Sequence, residues 1–135
     1  MIKLSKEKPY EDACKILGLR PVANYKSYKL TDETRNFIKL ETVAKALNEG
    51  WKPTTIDPKE VRYYVWGWNY TDNRKPAGLL GVDSSAGLGY ACAGVGTSLE
   101  FKDSDTAKEF ARMCKPMIVK YLFGRDDHEN FKFDF

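Results

Sequence analysis

Histidine occurs once in these 135 residues, and the three cysteines form no C-x-x-C pair. Each scarcity removes a class of chemistry. A nucleophilic hydrolase needs a nucleophile, a base and a group that orients the base. The one base of that kind, His128, sits beyond the last helical pattern, where a side chain is poorly preorganised. No G-x-S-x-G elbow occurs. Cys14, Cys92 and Cys114 are odd in number and unpaired in spacing, which points to a reducing compartment and buried thiols. The acidic run Asp126, Asp127, His128 and Glu129 is a weak metal candidate, because adjacent residues rarely converge on one ion. We therefore expect no metal, no cofactor and a non-enzymatic role. Carboxylates such as Asp72, Asp83 and Asp103 exist, but a glycosidase needs two of them across one cleft, and sequence alone does not bring them together.

Long apolar runs are absent as well. The opening MIKLSKEKPY has no apolar core of the signal-peptide kind, and no stretch approaches the roughly eighteen apolar residues that cross a bilayer. The expected location is the cytoplasm of a host cell. The net charge of +3 is small, and the last eleven residues, with two basic and four acidic groups, carry −2. That is a mild asymmetry and not a basic stripe of the nucleic-acid type.

What the chain does have is rings. Residues 61–70, VRYYVWGWNY, carry five aromatic residues in ten positions. Strand side chains alternate faces. Tyr64, Trp66, Trp68 and Tyr70 then share one face, and Tyr63, Val65, Gly67 and Asn69 the other. The first set is expected to form the core face beneath the helices, since amphipathic helices need a broad apolar seat. Because both faces carry a ring, some aromatic surface is also expected to remain exposed.

Around that strand the pattern has helical period. Pro9, Glu11, Asp12 and Gly18 mark a helix over 9–17 with Tyr10, Ala13, Cys14 and Leu17 on one face. Thr31 is a natural N-cap for a second, with Phe37, Leu40, Val43, Ala44 and Leu47 as its stripe and Gly50 at its end. After the aromatic strand come six glycines between 78 and 96. Gly78–Val82 and Leu88–Ala93 are expected as short bent strands, turned by Asp83-Ser84-Ser85, and Thr97–Phe101 as a further strand. Asp103 or Ser104 then caps a last helix, whose stripe stays in phase through Pro116 to Leu122. One kinked helix is expected there. The glycines do not make a phosphate loop: Val95 stands where a P-loop places Lys.

The resulting expectation is an α+β domain over 1–124: two N-terminal helices, an antiparallel meander of three to four strands, and a C-terminal kinked helix packed on one sheet face. Residues 125–135 form an acidic-aromatic C-terminal tail. In it Phe131, Phe133 and Phe135 alternate as in a strand that adds to a sheet edge, docks on a neighbouring subunit, or recruits a partner.

Several phrases in combination resemble small uncharacterised proteins encoded by phages and prophages of gut bacteria. These are YEDACKILGL at 10–19, AKALNEGW at 44–51, YYVW at 63–66, VGTSLEFKDSDTAKEFA at 95–111 and YLF at 121–123. The resemblance spans roughly residues 9–123. The chain departs from it at Pro116 and in its longer tail. It implies a phage or prophage setting, with virion association as an alternative to the host cytoplasm, and it brings no activity and no site residues. The functional expectation is therefore protein binding or self-association through the Gly-rich meander and its exposed rings, with Tyr63, Trp68, Tyr70, Arg62 and Arg74 as contact residues. The alternative is a single-stranded nucleic-acid binder that stacks bases on those rings. A third reading is a small enzyme with an unrecognised site.

Overall fold

The computed structural model describes residues 2–21, 30–52, 61–68, 78–86 and 99–135. Helix α1 spans Pro9–Leu17. Pro9 opens it, where a missing N–H costs nothing, and Gly18 closes it in the left-handed region at φ 68°. Ahead of it, the Ser5 hydroxyl accepts from the Glu7 and Lys8 amides, and the Ser5 amide donates to Asp12 Oδ2 at 2.8 Å. These bonds bring buried Leu4 onto the core. Helix α2, Asp32–Leu47, starts where Thr31 Oγ1 accepts from the Thr34 amide. Its Leu40, Val43, Ala44 and Leu47 are fully buried. A fully buried leucine such as Leu40 contributes on the order of 2 kcal/mol by leaving water.

The aromatic segment is strand β1, Val61–Trp68. It pairs antiparallel with β2, Leu79–Ala86, in the register Tyr64↔Asp83, Trp66↔Gly81 and Trp68↔Leu79. The expected turn at Asp83-Ser84-Ser85 is not made. Those residues continue β2, because eight-residue pairing with β1 outweighs their weak preference for a turn. The expected strand Leu88–Ala93 and the residues joining β1 to β2 lie outside the described residues, as do residues 97 and 98 of the strand expected over 97–101.

The rest of that expected strand is reduced to one bridge. The Tyr63 and Phe101 amides and carbonyls exchange bonds of 3.0 and 2.8 Å on the far side of β1. Its direction is set by α2's end. Asn48 Nδ2 donates to the Glu100 carbonyl at 2.9 Å, and the Lys102 amide donates to Asn48 Oδ1 at 3.4 Å. Lys102 Nζ also pairs with Glu49 at 3.1 Å, which holds the Glu49 carboxyl below its ordinary range.

The expected single kinked helix is two. Helix α3, Ser104–Met113, is capped by Asp103, and α4 is Lys115–Phe123. Cys114 leaves the helical region at φ −110°, ψ 19°. Pro116 has no N–H to donate to the Arg112 carbonyl and its ring crowds that group, so the ladder breaks there. Bonds close on either side: Cys114 N–H to the Phe110 carbonyl and Ile118 N–H to the Cys114 carbonyl, both 2.9 Å. The apolar stripe nevertheless stays continuous, with Phe110, Ala111, Cys114 and Ile118 all buried. Gly124, at φ 65°, ends α4.

After a short 3-10 turn at His128–Asn130, strand β3, Lys132–Phe133, lies parallel to β2. The described sheet is thus mixed, in the order β1-β2-β3, rather than an antiparallel meander. The chain arrives at β2's free edge from the end of α4, running in β2's own direction. The fold is α+β, with helices before and after the sheet in sequence. The core runs between the sheet and α2, α3 and α4, through Val65, Leu80, Phe101, Phe110 and Val119. Among the described residues no helix is long and apolar enough to cross a membrane.

Candidate functional site

The faces of β1 decide where a partner can sit. Val65 is buried in the core, and Tyr63 packs against it half-buried. At Gly67 an added methyl would run into the Phe123 ring and meet Leu122 at 3.2 Å, so α4 lies directly over that backbone. The opposing residues of β2 agree: Val82, packed on the core, faces Val65, and fully buried Leu80 faces Gly67. The inner face is therefore Tyr63, Val65, Gly67, Leu80 and Val82. This overturns the expectation that Tyr64, Trp66 and Trp68 seat the helices. Bulky rings would hold a helix too far away, whereas glycine and aliphatic residues let α4 approach closely.

The large rings lie on the outer face. Tyr64, Trp66 and Trp68 are each half-buried. A methyl at Gly81 would collide with the six-membered ring of Trp66 and would come within 2.8 Å of Asp134 Oδ2. Trp66 thus lies down across the strand pair over Gly81, with the Asp134 carboxylate beside it. Trp68 stands against Trp66 edge-on, with centroids 6.4 Å apart and planes at 80°. One ring parallel to the sheet and one upright form a corner, a geometry that grips a flat or elongated apolar group on two sides. Asp83, beside Tyr64, and Asp134 are exposed, as is Lys132. Among the described residues the polar rim of this face is more acidic than basic.

Arg62 falls on the same side of the strand but is no surface cation. Its side chain is 1% exposed and Nη1 lies 3.1 Å from Glu100 Oε2, itself 0% exposed. Among the described residues, Arg62 Nε and Nη2 and Glu100 Oε1 find no hydrogen-bond partner. Arg62 is therefore withdrawn from the contact surface: burial and the Glu100 carboxylate hold it inside. Tyr63 is withdrawn too, since it faces the helices and its backbone holds Phe101. Trp68 stays on the outer face. Tyr70 and Arg74 lie outside the described residues, as do Gly87, Gly89, Gly94 and Gly96.

The three phenylalanines of residues 131–135 point to the helix side. Phe131 is buried, its ring 4.7 Å from that of Phe123. Phe133 and Phe135 stack at 4.9 Å, with Lys115 over the first and Lys108 and Arg112 over the second. The turn leading to them is locked by Asp127, which accepts from Arg125 Nε at 2.8 Å and Nη2 at 2.5 Å and from Asn130 Nδ2 at 2.9 Å. Arg125, and after it Asn130, hold the Asp127 carboxyl down at about 2.

Among the described residues the other reactive groups are buried or paired, and Cys92 lies outside the described residues. Burial pushes the Cys114 thiol up to about 12, so it is neutral at any physiological pH and a poor nucleophile. Cys14 is buried as well. His128 Nδ1 lies 3.7 Å from Glu129. Among the described residues no three His, Cys, Asp or Glu side chains gather in a way that could hold a metal.

Sequence reasoning missed the Arg62–Glu100 pair, the Asn48 clamp and Trp66 as the centre of the outer face. The first two join residues more than thirty positions apart and have no local signal. The third had one: Gly67 between two tryptophans marks the side where another element comes close. No family model, curated protein or solved structure matches the chain.

Proposed function

We propose that this chain is a non-enzymatic binding protein, and that it holds a protein partner on the outer sheet face around Trp66, Trp68 and Tyr64. The observation that carries the reading is the Trp66–Trp68 corner, built on the side of the sheet turned away from α3 and α4. Tryptophan and tyrosine supply rigid contact area at small entropic cost, which suits them to the centre of an interface. In the setting implied by the resemblance, the chain would be an accessory protein of a phage or prophage. The nucleic-acid alternative is weakened by two features: Arg62 is spent on Glu100, and Asp83 and Asp134 flank the rings where phosphates would need cations.

The test is selection of a displayed random-peptide library on the full chain, with Trp66→Ala/Trp68→Ala as the parallel target. We expect peptides whose affinity falls at least about tenfold on the variant, in keeping with the weight of buried tryptophans in interfaces. Equal retention by both folded proteins would remove the outer face from the reading. Retention of a single-stranded oligonucleotide at low salt, lost as salt rises, would favour the alternative.

A further inference from the structure

We infer that residues 131–135 are an exchangeable strand, and that the seat they occupy also accepts the same segment of a second copy of this chain. The seat is a different surface from the tryptophan corner and stands on different observations. It has three parts, each matched to one feature of the segment. The β2 edge offers carbonyls: Gly78 O accepts from the Lys132 amide at 2.9 Å and Leu80 O from the Asp134 amide at 2.8 Å. A pocket beside Phe123 takes the Phe131 ring. The basic side chains of α3 and α4 lie over the rest, with Lys115 5.5 Å from the Phe133 centroid and Lys108 and Arg112 at 5.7 and 5.1 Å from that of Phe135. Backbone pairing, an aromatic anchor and cation–π contacts together make a recognition site for an extended strand with alternate aromatic residues.

Nothing in those contacts requires the segment to come from its own chain. A second copy carries the identical segment and the identical seat, so mutual exchange preserves every contact just named. What distinguishes the closed monomer from the exchanged dimer is the turn between α4 and β3. There the chain reverses through Gly124 at φ 65° and is pinned by the three bonds to Asp127. Straightening that turn sends residues 131–135 away from their own β2. A sheet edge left open in this way is a template for the next strand that fits it. The monomer is favoured at low concentration by the high effective concentration of a tethered segment, and the dimer gains as the protein is concentrated. The Asp127 turn is then a latch and the three phenylalanines are the exchanged arm.

The experiment keeps the full chain throughout and reads association by sedimentation. Asp127→Ala unpins the turn without touching the seat, and its dimer fraction at a fixed protein concentration should rise about tenfold over the unsubstituted chain. Adding Phe133→Ala and Phe135→Ala to that variant should return it to monomer. A second measurement covers any loss of folding in these variants. The chain carrying Phe133→Ala/Phe135→Ala, which spoils the arm, is mixed with one carrying Lys108→Glu/Arg112→Glu/Lys115→Glu, which spoils the seat. Neither should associate alone, and the equimolar mixture should form a heterodimer through the one intact arm and the one intact seat. A mixture that stays monomeric while both spectra remain native overturns the inference, as does an Asp127→Ala dimer that survives loss of the two phenylalanines.

Discussion

A single buried ion pair settles how β1 meets the segment before α3. Arg62 and Glu100 are 1% and 0% exposed, and among the described residues most of the polar atoms of their side chains find no hydrogen bond. Removing two charges from water costs several kcal/mol per ion, which one contact of 3.1 Å does not fully return. The pair is thus better understood as fixing register than as adding stability. It holds Glu100 opposite β1 so that the neighbouring Phe101 bonds Tyr63 and not Val61 or Val65. Arg62→Ala should cost about 3–5 kcal/mol because it strands a buried carboxylate, whereas Arg62→Met with Glu100→Leu should recover most of that loss. Urea denaturation of the unsubstituted chain, Arg62→Ala and the double variant measures it. A double variant no more stable than Arg62→Ala would mean that the pair contributes net stability after all. Nothing near position 62 in the sequence announces Glu100. The aromatic neighbours suggest an exposed phosphate contact, and only the tertiary fold shows where the guanidinium goes.

Elements with local causes were legible in advance. α1 begins and ends where Pro9 and Gly18 say it must, and α2 begins after Thr31, because caps and dipole charges act within one turn; α2 stops at Leu47, short of the expected Gly50. β1 was legible as a strand but not as to its inner face: ring size suggested a core, while Gly67 carried the better signal. β2 was misjudged at Asp83–Ser85 because strand pairing depends on a segment distant in sequence. The described part of the strand expected over 97–101 was misjudged for a related reason, since the group that straightens it is the Asn48 amide at the end of α2. One side chain there supplies the donor and the acceptor that a neighbouring strand would supply. Asn48→Ala leaves the buried Glu100 carbonyl and the Lys102 amide without those bonds, and should cost about 1–3 kcal/mol. Amide hydrogen exchange locates the effect. Protection should fall at Phe101 and at the start of α3 more than within α1. Uniform loss across the protein would show that Asn48 acts on global stability rather than on this segment.

The pH response belongs to the whole molecule, since its titrating groups lie at separate corners of the fold. Burial alone would raise the Asp103 carboxyl, but the bond it accepts from the Thr106 amide, with the Lys102 charge nearby, outweighs that and brings it below its ordinary value. Lys102 lowers Glu49, and Arg125 with Asn130 takes Asp127 from the ordinary 3.8 to about 2. Groups that bind protons less readily folded than unfolded stabilise the fold above their unfolded pKa and lose that contribution as pH falls through the folded one. For Asp127 the loss runs from 3.8 down to about 2. Cys114 acts at the opposite end. Its thiol, raised by burial from 9.0 to about 12, favours the fold below 9.0, and that contribution fades as pH climbs toward about 12. Stability should therefore be level in the middle of the range and fall on both sides, which thermal denaturation across pH will record. The two limbs are separable by substitution. Asp127→Asn should flatten part of the acid limb and leave the alkaline one unchanged. Cys114→Ala should lower the plateau by leaving a small cavity, yet shrink the drop above 9.0. The acid limb also bears on the latch at the turn before β3, because protonating Asp127 removes its attraction for Arg125. Dimer that accumulates as pH falls toward about 2, in the unsubstituted chain but not in Phe133→Ala/Phe135→Ala, would tie the titration to strand exchange. An acid limb unaltered by Asp127→Asn would instead place the acid sensitivity at Asp103 and Glu49, the carboxylates beside the start of α3 and the end of α2.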